Sequence, residues 1–168
     1  MKNIEFWFSI GSTYTYLSVE RILNVEKKYN VNFIWKPFSV RQIMMEMDNV
    51  PFTPPLKKNK SDYMWRDIER RAQLYGFQAK VPAPYPLKEF DLANKIAILG
   101  MDEEWGISYV RKTYQRWFQE GFEPAVEPNL SEILHHLGLD SKKIIEMANT
   151  EENNKKYLKQ TEIAKSKK

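Results

Sequence analysis

The residues that are best suited to binding or catalysis lie in residues 8–17, where a predicted strand leads into a predicted helix. Such a junction presents backbone N–H groups without partners, and the positive end of the helix dipole adds to their attraction for an anion. The hydroxyl of Ser12 adds a further donor there. The segment therefore predicts a site for a phosphate, a carboxylate or a thiolate. On residue type alone, an N-cap role is the commoner explanation of Ser12, because serine is an ordinary residue at a helix start.

The absence of cysteine limits the reactions that the Ser12 site could support. The 168-residue chain contains none, which excludes disulfides, thiolate zinc sites, iron–sulfur clusters and dithiol redox motifs. Sulfur chemistry at the Ser12 site must therefore use a sulfur that a ligand brings. His135 and His136 do not predict a metal site, because adjacent residues of a helix point about 100° apart. We therefore expect no metal.

The elements that position this junction form a strand–helix–strand pattern. Residues 4–10 and 32–38 are rich in aromatic and branched side chains and predict two strands. The apolar residues between Tyr14 and Tyr29 recur with the period of a helix. Such a unit normally forms a right-handed crossover between parallel strands. The rest of the chain is predicted to be helical at residues 40–47, 61–75, 89–100, 103–120, 129–138, 141–148 and 150–165.

Two strands are too few for an independently stable sheet, so we expect a partner or a longer chain to supply more. With 42% hydrophobic and 14% aromatic residues, the chain is still long enough to bury one core without a metal or disulfide. These features predict a single globular domain or one domain with a large insertion.

Charge and hydropathy set the expected environment. No run of about 18 apolar residues occurs, so no membrane span is predicted. The N-terminal residues do not have the pattern of a signal peptide, which favours the cytoplasm. The net charge of +4 comes partly from a lysine-rich tail, Lys165 to Lys168, and lysine tails are usually solvated. We therefore expect no nucleic-acid partner.

Several motifs follow one another along the chain in a recognisable order. They are Ser-Thr-Tyr-Thr-Tyr-Leu at 12–17, Trp-Lys-Pro-Phe at 35–38, Asp-Asn-Val-Pro at 48–51, Lys60-x-x-Tyr63-x-x-x-Asp67, Ala72-x-x-Tyr75-Gly76 and Val-Pro-Ala-Pro-Tyr-Pro at 81–86. This ordered set resembles the 2-hydroxychromene-2-carboxylate isomerase and glutathione transferase kappa family, part of the DsbA branch of thioredoxin-like proteins. Thr13 stands where the family usually has proline, Thr15 where it has serine, and Ser9 where many members have aspartate.

The resemblance implies an α/β thioredoxin-like fold of the DsbA branch, with a large all-helical insertion after the β-α-β unit. We accordingly predict a thioredoxin-like half at residues 1–40, a helical insertion domain at 41–149, and a helix at 150–168 that returns to the first part. In the family, the chain continues past the position of Lys168 into an antiparallel strand pair and a final helix. This sequence is expected to lack them, in agreement with its shortage of strands.

The resemblance also implies a role for Ser12. This serine replaces the reactive cysteine of dithiol relatives and donates a hydrogen bond to the thiolate of glutathione, whose free thiol has a pKa of about 8.5. A hydrogen bond to a charged group contributes about 1.5–3 kcal/mol, and a helix N-terminus about 0.3–1 kcal/mol. The sum corresponds to about 1.5–3 pK units, which makes the thiolate the dominant form at neutral pH.

Two more residues match family positions that bind glutathione or substrate, and two aromatic residues are further candidates. Asn49 offers donors and an acceptor to the peptide-like glutathione, and Lys60 offers a charge to a carboxylate of glutathione or of the substrate. Trp65 and Tyr85 are candidates for the wall of an aromatic substrate pocket. The structural alternatives are a turn residue for Asn49, a solvated lysine for Lys60, and core packing for the two aromatic residues.

The activity that the resemblance implies is glutathione-dependent cis–trans isomerisation of an aromatic catabolic intermediate, by a homodimer. The first alternative is kappa-type glutathione transfer or peroxide reduction, in which the thiolate is consumed. The second is a non-catalytic DsbA-like binding domain, which the expected lack of C-terminal strands favours.

Overall fold

A computed structural model describes residues 1–49 and 57–167. Its N-terminal part is the predicted strand–helix–strand unit, with β1 at Lys2–Phe8, α1 at Thr15–Tyr29 and β2 at Val31–Pro37. The two strands are parallel, as predicted, and pair in a register that places Phe6 opposite Trp35. Within the described ranges they form the whole of the sheet.

The first strand ends two residues earlier than predicted, at Phe8 instead of Ile10. The backbone of Ile10 is hydrogen-bonded to the side chain of Asn94 and not to β2. An apolar segment that looks like the end of a strand is therefore bonded to a buried side chain much later in the chain. The aromatic face of the sheet is tightly packed, since the rings of Phe6 and Trp35 lie 5.0 Å apart between centroids.

Most of the remaining described residues are helical, as predicted, and no helix among them is both long and apolar enough to cross a membrane. The helix that contains Lys60 begins at Lys58, three residues earlier than predicted. The helices after β2 are α2 at Val40–Glu46, α3 at Lys58–Tyr75, α4 at Phe90–Met101, α5 at Gly106–Gln115 with a π-helical continuation at Arg116–Glu120, α6 at Asn129–His136, α7 at Ser141–Ala148 and α8 at Glu151–Ser166.

The predicted helix over residues 103–120 begins late and changes its winding. The backbones of Gly100 and Gly106 approach so closely that a Cβ on Gly106 would lie 2.3 Å from the carbonyl oxygen of Gly100. The ring of Trp105 packs at the same place, so α5 begins only at Gly106. Its C-terminal continuation is π-helical and buries both Trp117 and Phe118.

The core runs without interruption from the strand–helix–strand unit into the helices that follow. It joins Phe8 and Ile10 to buried residues of α4 and α5, such as Ile96 and Tyr109. Helix α4 packs against α5, α7, α8 and β2, so it links the two regions. Helix α8 returns to β2, and Lys167 beyond its end pairs with Glu5 of β1 at 2.7 Å. The division at residues 40 and 149 stays a prediction.

Candidate functional site

The junction between β1 and α1 is a tight turn that leaves the Ser12 hydroxyl available. The N–H of Ser12 donates to the carbonyl of Ser9 at 3.0 Å, and Gly11 adopts a φ of +117°. Helix α1 begins at Thr15, and the residue at its N-cap position, Tyr14, makes no side-chain cap hydrogen bond. The N-cap interpretation of Ser12 is therefore wrong. Among the hydrogen bonds of the described residues, none uses the hydroxyl of Ser12.

The backbone around Ser12 presents further donors. The carbonyls of Ser12, Thr13 and Tyr14 accept the first hydrogen bonds of α1. The N–H groups of Thr13 and Tyr14 have no backbone acceptor within the described ranges. Together with the Ser12 hydroxyl, these groups lie at the positive end of the α1 dipole. The junction is thus chemically suited to stabilise an anion, including a thiolate.

Helix α3 is attached directly to this junction. The Thr13 hydroxyl donates to the sulfur of Met64 at 3.1 Å, and the Tyr14 hydroxyl donates to Asp67 at 3.0 Å. Arg71 pairs with the same carboxylate at 2.9 Å and is the main reason why the pKa of Asp67 is lowered. Burial and the Asp67 carboxylate raise the pKa of Tyr14 to about 12. Tyr14 therefore stays protonated and donates to Asp67 at neutral pH.

Lys60 lies on the α3 face that contacts this junction. Met64 and Asp67 follow Lys60 by four and seven residues, a spacing that places the three side chains along one helix face. Met64 contacts Thr13 and Asp67 contacts Tyr14, so Lys60 continues the row about 6 Å further toward the start of α3. Its side chain is exposed to solvent.

Asn49 lies near the same end of α3. Its N–H donates to the carbonyl of Met44 at 2.8 Å, and its side-chain oxygen accepts from Lys57 at 3.3 Å. Lys57 immediately precedes α3. The structure therefore brings Asn49 to the helix end that carries Lys60. The predicted Asp-Asn-Val-Pro loop continues into residues 50–56, which lie outside the described residues.

Trp65 and Tyr85 meet across a surface cleft. Their ring centroids are 5.9 Å apart and the rings are nearly perpendicular. The cleft has a volume of about 530 Å³ and carries charged groups from α3 at its border. Trp65 also packs against Phe118, with ring centroids 6.3 Å apart, and is only 9% exposed. The indole thus belongs to the core and to the cleft wall together. The cleft is lined by Lys58, Ser61, Asp62, Trp65, Arg66, Glu69, Val81, Pro82, Ala83 and Tyr85.

The aromatic cleft and the Ser12 junction lie on different sides of α3. Lys60 and Trp65 are five residues apart, which corresponds to about 140° around the helix. Ser12, Asn49 and Lys60 do not line the cleft. The structure therefore pairs Trp65 with Tyr85 and associates Asn49 with the Lys60 end of α3, but it places these two groups on separate faces of the helix.

The sequence prediction missed the residues that hold the Ser12 turn. The Asn94 amide binds the backbone of Ile10, and the hydroxyl of Tyr114 binds the carbonyls of Ser9 and Ser12. Asn94 is a fully buried amide in an otherwise largely apolar helix. Buried amides need hydrogen-bond partners, so this position carried a usable signal. The burial of the Tyr114 hydroxyl had no comparable signature, because a tyrosine in an aromatic helix also fits simple core packing.

Comparison with known proteins places this geometry in a family. A 2-hydroxychromene-2-carboxylate isomerase of Pseudomonas putida is 23% identical over 161 residues, which cover 96% of this chain and 78% of that protein. A solved 2-hydroxychromene-2-carboxylate isomerase superposes with a TM-score of 0.81 at 24% identity, over 96% of this chain and 78% of that one. The cytosolic disulfide reductase DsbM of Pseudomonas aeruginosa, solved with GSH, gives a TM-score of 0.67 at 12% identity, over 97% and 79% of the two chains.

These likenesses confirm the predicted fold, a mostly helical DsbA-like thioredoxin fold with a small parallel sheet. They also confirm the resemblance to 2-hydroxychromene-2-carboxylate isomerases, as distant relatives over nearly the whole chain. A family model, described as the DSBA-like thioredoxin domain, matches residues 3–168. The chain therefore belongs to the DSBA-like thioredoxin domain family.

Proposed function

We propose that this protein is a glutathione-dependent cis–trans isomerase of the 2-hydroxychromene-2-carboxylate isomerase type, acting on an unsaturated aromatic acid. The observation that carries the proposal is the group of donors at the start of α1. The hydroxyl of Ser12 and the N–H groups of Thr13 and Tyr14 adjoin one another and have no backbone acceptor within the described ranges. An anion is the ligand that such a set favours, and a cysteine-free chain must obtain a thiolate from a ligand.

The residues of the site fit glutathione in charge and hydrogen-bonding type. When bound, glutathione supplies a thiolate that adds reversibly to an unsaturated carbon, so that rotation about the former double bond becomes possible. Ser12 stabilises the ionised sulfur by donating a hydrogen bond from its hydroxyl, and the N–H groups of Thr13 and Tyr14 add the attraction of the helix end. Lys60 binds a carboxylate of glutathione or of the substrate, and Asn49 binds a peptide group of glutathione.

The aromatic part of the substrate is proposed to occupy the cleft between Trp65 and Tyr85. An edge-to-face pair of rings offers both a π face and a polar hydroxyl to a flat ligand. Because the cleft and Lys60 lie on different sides of α3, the substrate must extend around the start of this helix to reach both. A substitution of Tyr85 by leucine is therefore expected to weaken the binding of an aromatic carboxylate such as cinnamate without weakening that of glutathione.

Calorimetric titration with glutathione tests the proposal. The wild-type chain should bind glutathione and lower the pKa of its thiol below about 8.5, which the ultraviolet absorbance of the thiolate reports. Ser12→Ala should raise the pKa of the bound thiol by about 1–2 units, because it removes a hydrogen bond to a charge. Ser18→Ala, on the exposed side of α1, is the matched control and should leave the pKa unchanged. Absence of binding at millimolar glutathione contradicts the proposal.

Product analysis then separates the related activities. An isomerase returns glutathione unmodified, whereas a kappa-type transferase or peroxidase consumes it as a conjugate or a disulfide. A non-catalytic binding domain is the second candidate, which the family resemblance also leaves open. Such a domain binds glutathione but produces no change in an unsaturated aromatic acid.

The assembly and the compartment belong to the same proposal. We propose a homodimer that acts in the cytoplasm, in agreement with the family resemblance and with the cytosolic relative. Light scattering during size-exclusion chromatography should therefore give about twice the 20.0 kDa mass of one chain. A monomer at all accessible concentrations contradicts the homodimer.

A further inference from the structure

Tyr114 of helix α5 reaches across the molecule to the turn that carries Ser12. Its side chain is completely buried, and its hydroxyl donates to the carbonyl of Ser9 at 2.8 Å and to that of Ser12 at 3.2 Å. The same turn is closed by the N–H of Ser12, which also donates to Ser9. One phenolic hydrogen therefore bridges the two carbonyls between which the turn is formed.

Helix α4 holds the residues between these two carbonyls. The amide of Asn94 makes two hydrogen bonds of 2.8 Å with the N–H and the carbonyl of Ile10. The ring of Phe90 covers Gly11 so closely that a Cβ there would lie 2.2 Å from a ring carbon. Asn94 is itself oriented by a third bond, which it donates to the Phe90 carbonyl at 2.9 Å. The backbone from Ser9 to Ser12 is thus held from the insertion at every residue.

The contact with the Ser12 carbonyl has a consequence for the donors of the site. The carbonyl of Ser12 and the N–H of Thr13 belong to one planar peptide group and point in opposite directions. Tyr114 and the N–H of Thr15 both bind this carbonyl from the protein side. The Thr13 N–H is therefore directed away from Tyr114, toward the place where the anion is proposed to bind. Because the two groups share one rigid peptide plane, holding the Ser12 carbonyl in place also holds the Thr13 N–H in place.

We propose that Tyr114 is a positioning residue for the Ser12 site, and that its hydroxyl orients the Thr13 N–H and the Ser12 side chain toward the bound thiolate, with Asn94 holding the preceding residue. This rests on the proposed function for its ligand, but the positioning itself is a property of the chain alone. In this arrangement, helices α4 and α5 position the groups that bind the thiolate, in addition to any contact that the predicted insertion makes with a substrate.

The chemistry of Tyr114 suits a permanent donor. Burial raises the pKa of its phenol far above the usual value, and a hydrogen bond from the side chain of Thr15 opposes this only in part. The phenol therefore keeps its hydrogen throughout the pH range in which a glutathione thiol ionises. A donor that lost its own proton in this pH range could not keep its hydrogen bonds to the Ser9 and Ser12 carbonyls while the glutathione thiol ionises.

Tyr114→Phe tests the proposal with a closely matched control, Tyr109→Phe. Both tyrosines lie in α5 and are completely buried, and both donate to a backbone carbonyl. Tyr109 donates to Ala93 at 3.3 Å, which is not part of the turn. Each variant keeps its aromatic ring, so both are expected to fold. The first measurement is the pKa of the bound glutathione thiol, and the second is hydrogen exchange of the amides of residues 12–16 without ligand.

Tyr114→Phe should raise the pKa of the bound thiol by about half a unit or more, which is about a threefold change in the thiolate-to-thiol ratio at fixed pH. It should also accelerate amide exchange at residues 12–16, and Tyr109→Phe should do neither. Equal effects of the two variants on exchange at residues 12–16 would overturn the proposal. If the wild-type chain does not bind glutathione, the proposed function fails, and the exchange measurement still decides whether Tyr114 holds the turn.

Discussion

The side-chain amide of Asn94 forms both backbone hydrogen bonds of Ile10, although the two residues are 84 positions apart in the chain. Both donor–acceptor distances are 2.8 Å, and both residues are completely buried. Asn94 therefore takes the place of a neighbouring strand for the residue that directly follows the Phe8–Ser9 segment. This contact links the strand–helix–strand unit to helix α4 at the point where the candidate site begins.

Asn94→Ala should destabilise the fold strongly. The substitution leaves the N–H and the carbonyl of Ile10 buried without partners, which costs about 1–3 kcal/mol for each group. We expect the free energy of unfolding, measured with urea, to fall by about 2–6 kcal/mol. Asn149→Ala is the control, because Asn149 is exposed and its bond to Ile145 can be replaced by water. That variant should change stability by about 0.5 kcal/mol or less. Equal losses would contradict the proposed role of the Ile10 contact.

Gly11 and Gly76 separate the effect of a steric clash from that of backbone strain. Both have positive φ, +117° and +85°, so alanine is strained at either position. A Cβ at Gly76 meets nothing within 4 Å, whereas one at Gly11 meets the buried ring of Phe90 at 2.2 Å. Gly76→Ala should therefore cost about 1–2 kcal/mol, and Gly11→Ala about 1–3 kcal/mol more. Thermal and urea unfolding measure the difference in stability between the two variants. Similar losses of stability would show that the Phe90 ring moves aside at little cost.

Lys60→Ala should weaken the binding of glutathione. If its ammonium group pairs with a carboxylate of the ligand, its removal raises the dissociation constant by about three- to tenfold. Lys142→Ala is the control, since it changes the net charge equally at an exposed position on α7. The loss for Lys60→Ala should shrink in high salt, because an exposed ion pair is screened. Identical titration curves for the two variants would mean that only net charge matters.

Glu20 should make the stability of the protein depend on pH. Burial between α1 and its neighbours raises the pKa of Glu20 above 4.5, although a hydrogen bond with Gln115 and the charge of Arg111 act in the opposite direction. The folded state therefore binds the proton more tightly than the unfolded state does. Its contribution to stability is complete below pH 4.5 and is lost as the pH rises through the raised pKa of the folded state.

Glu20→Gln removes this titration. Relative to the wild type, the variant should become progressively more stable between about pH 4.5 and neutrality. Urea unfolding at several pH values measures the difference in free energy of unfolding between the two proteins. The comparison well below pH 4.5, where the wild-type carboxyl is neutral in both states, is the internal control. A difference that does not change with pH would contradict the raised pKa.

Local patterns predicted the elements that depend on local interactions. The abundance of aromatic and branched residues predicted β1 and β2, and helical periodicity predicted the helices of the described residues to within three residues at their ends. The clearest failure is the helix over residues 103–120, whose start is decided by the packing of Gly100 against Gly106. These two residues meet only when α4 and α5 fold onto each other, so periodicity contains no signal for their contact.

The candidate site also has features that the sequence predicted and features that only the tertiary structure revealed. Residue types and their order predicted Ser12 at the junction of strand and helix, and the lack of cysteine already required an external sulfur. The tertiary structure alone decided that Ser12 does not cap α1 and that Asn94 and Tyr114 hold the turn. The physical reason is distance along the chain: a strand–helix junction can be recognised from neighbouring residues, whereas hydrogen bonds between residues more than 80 positions apart form only in the folded core.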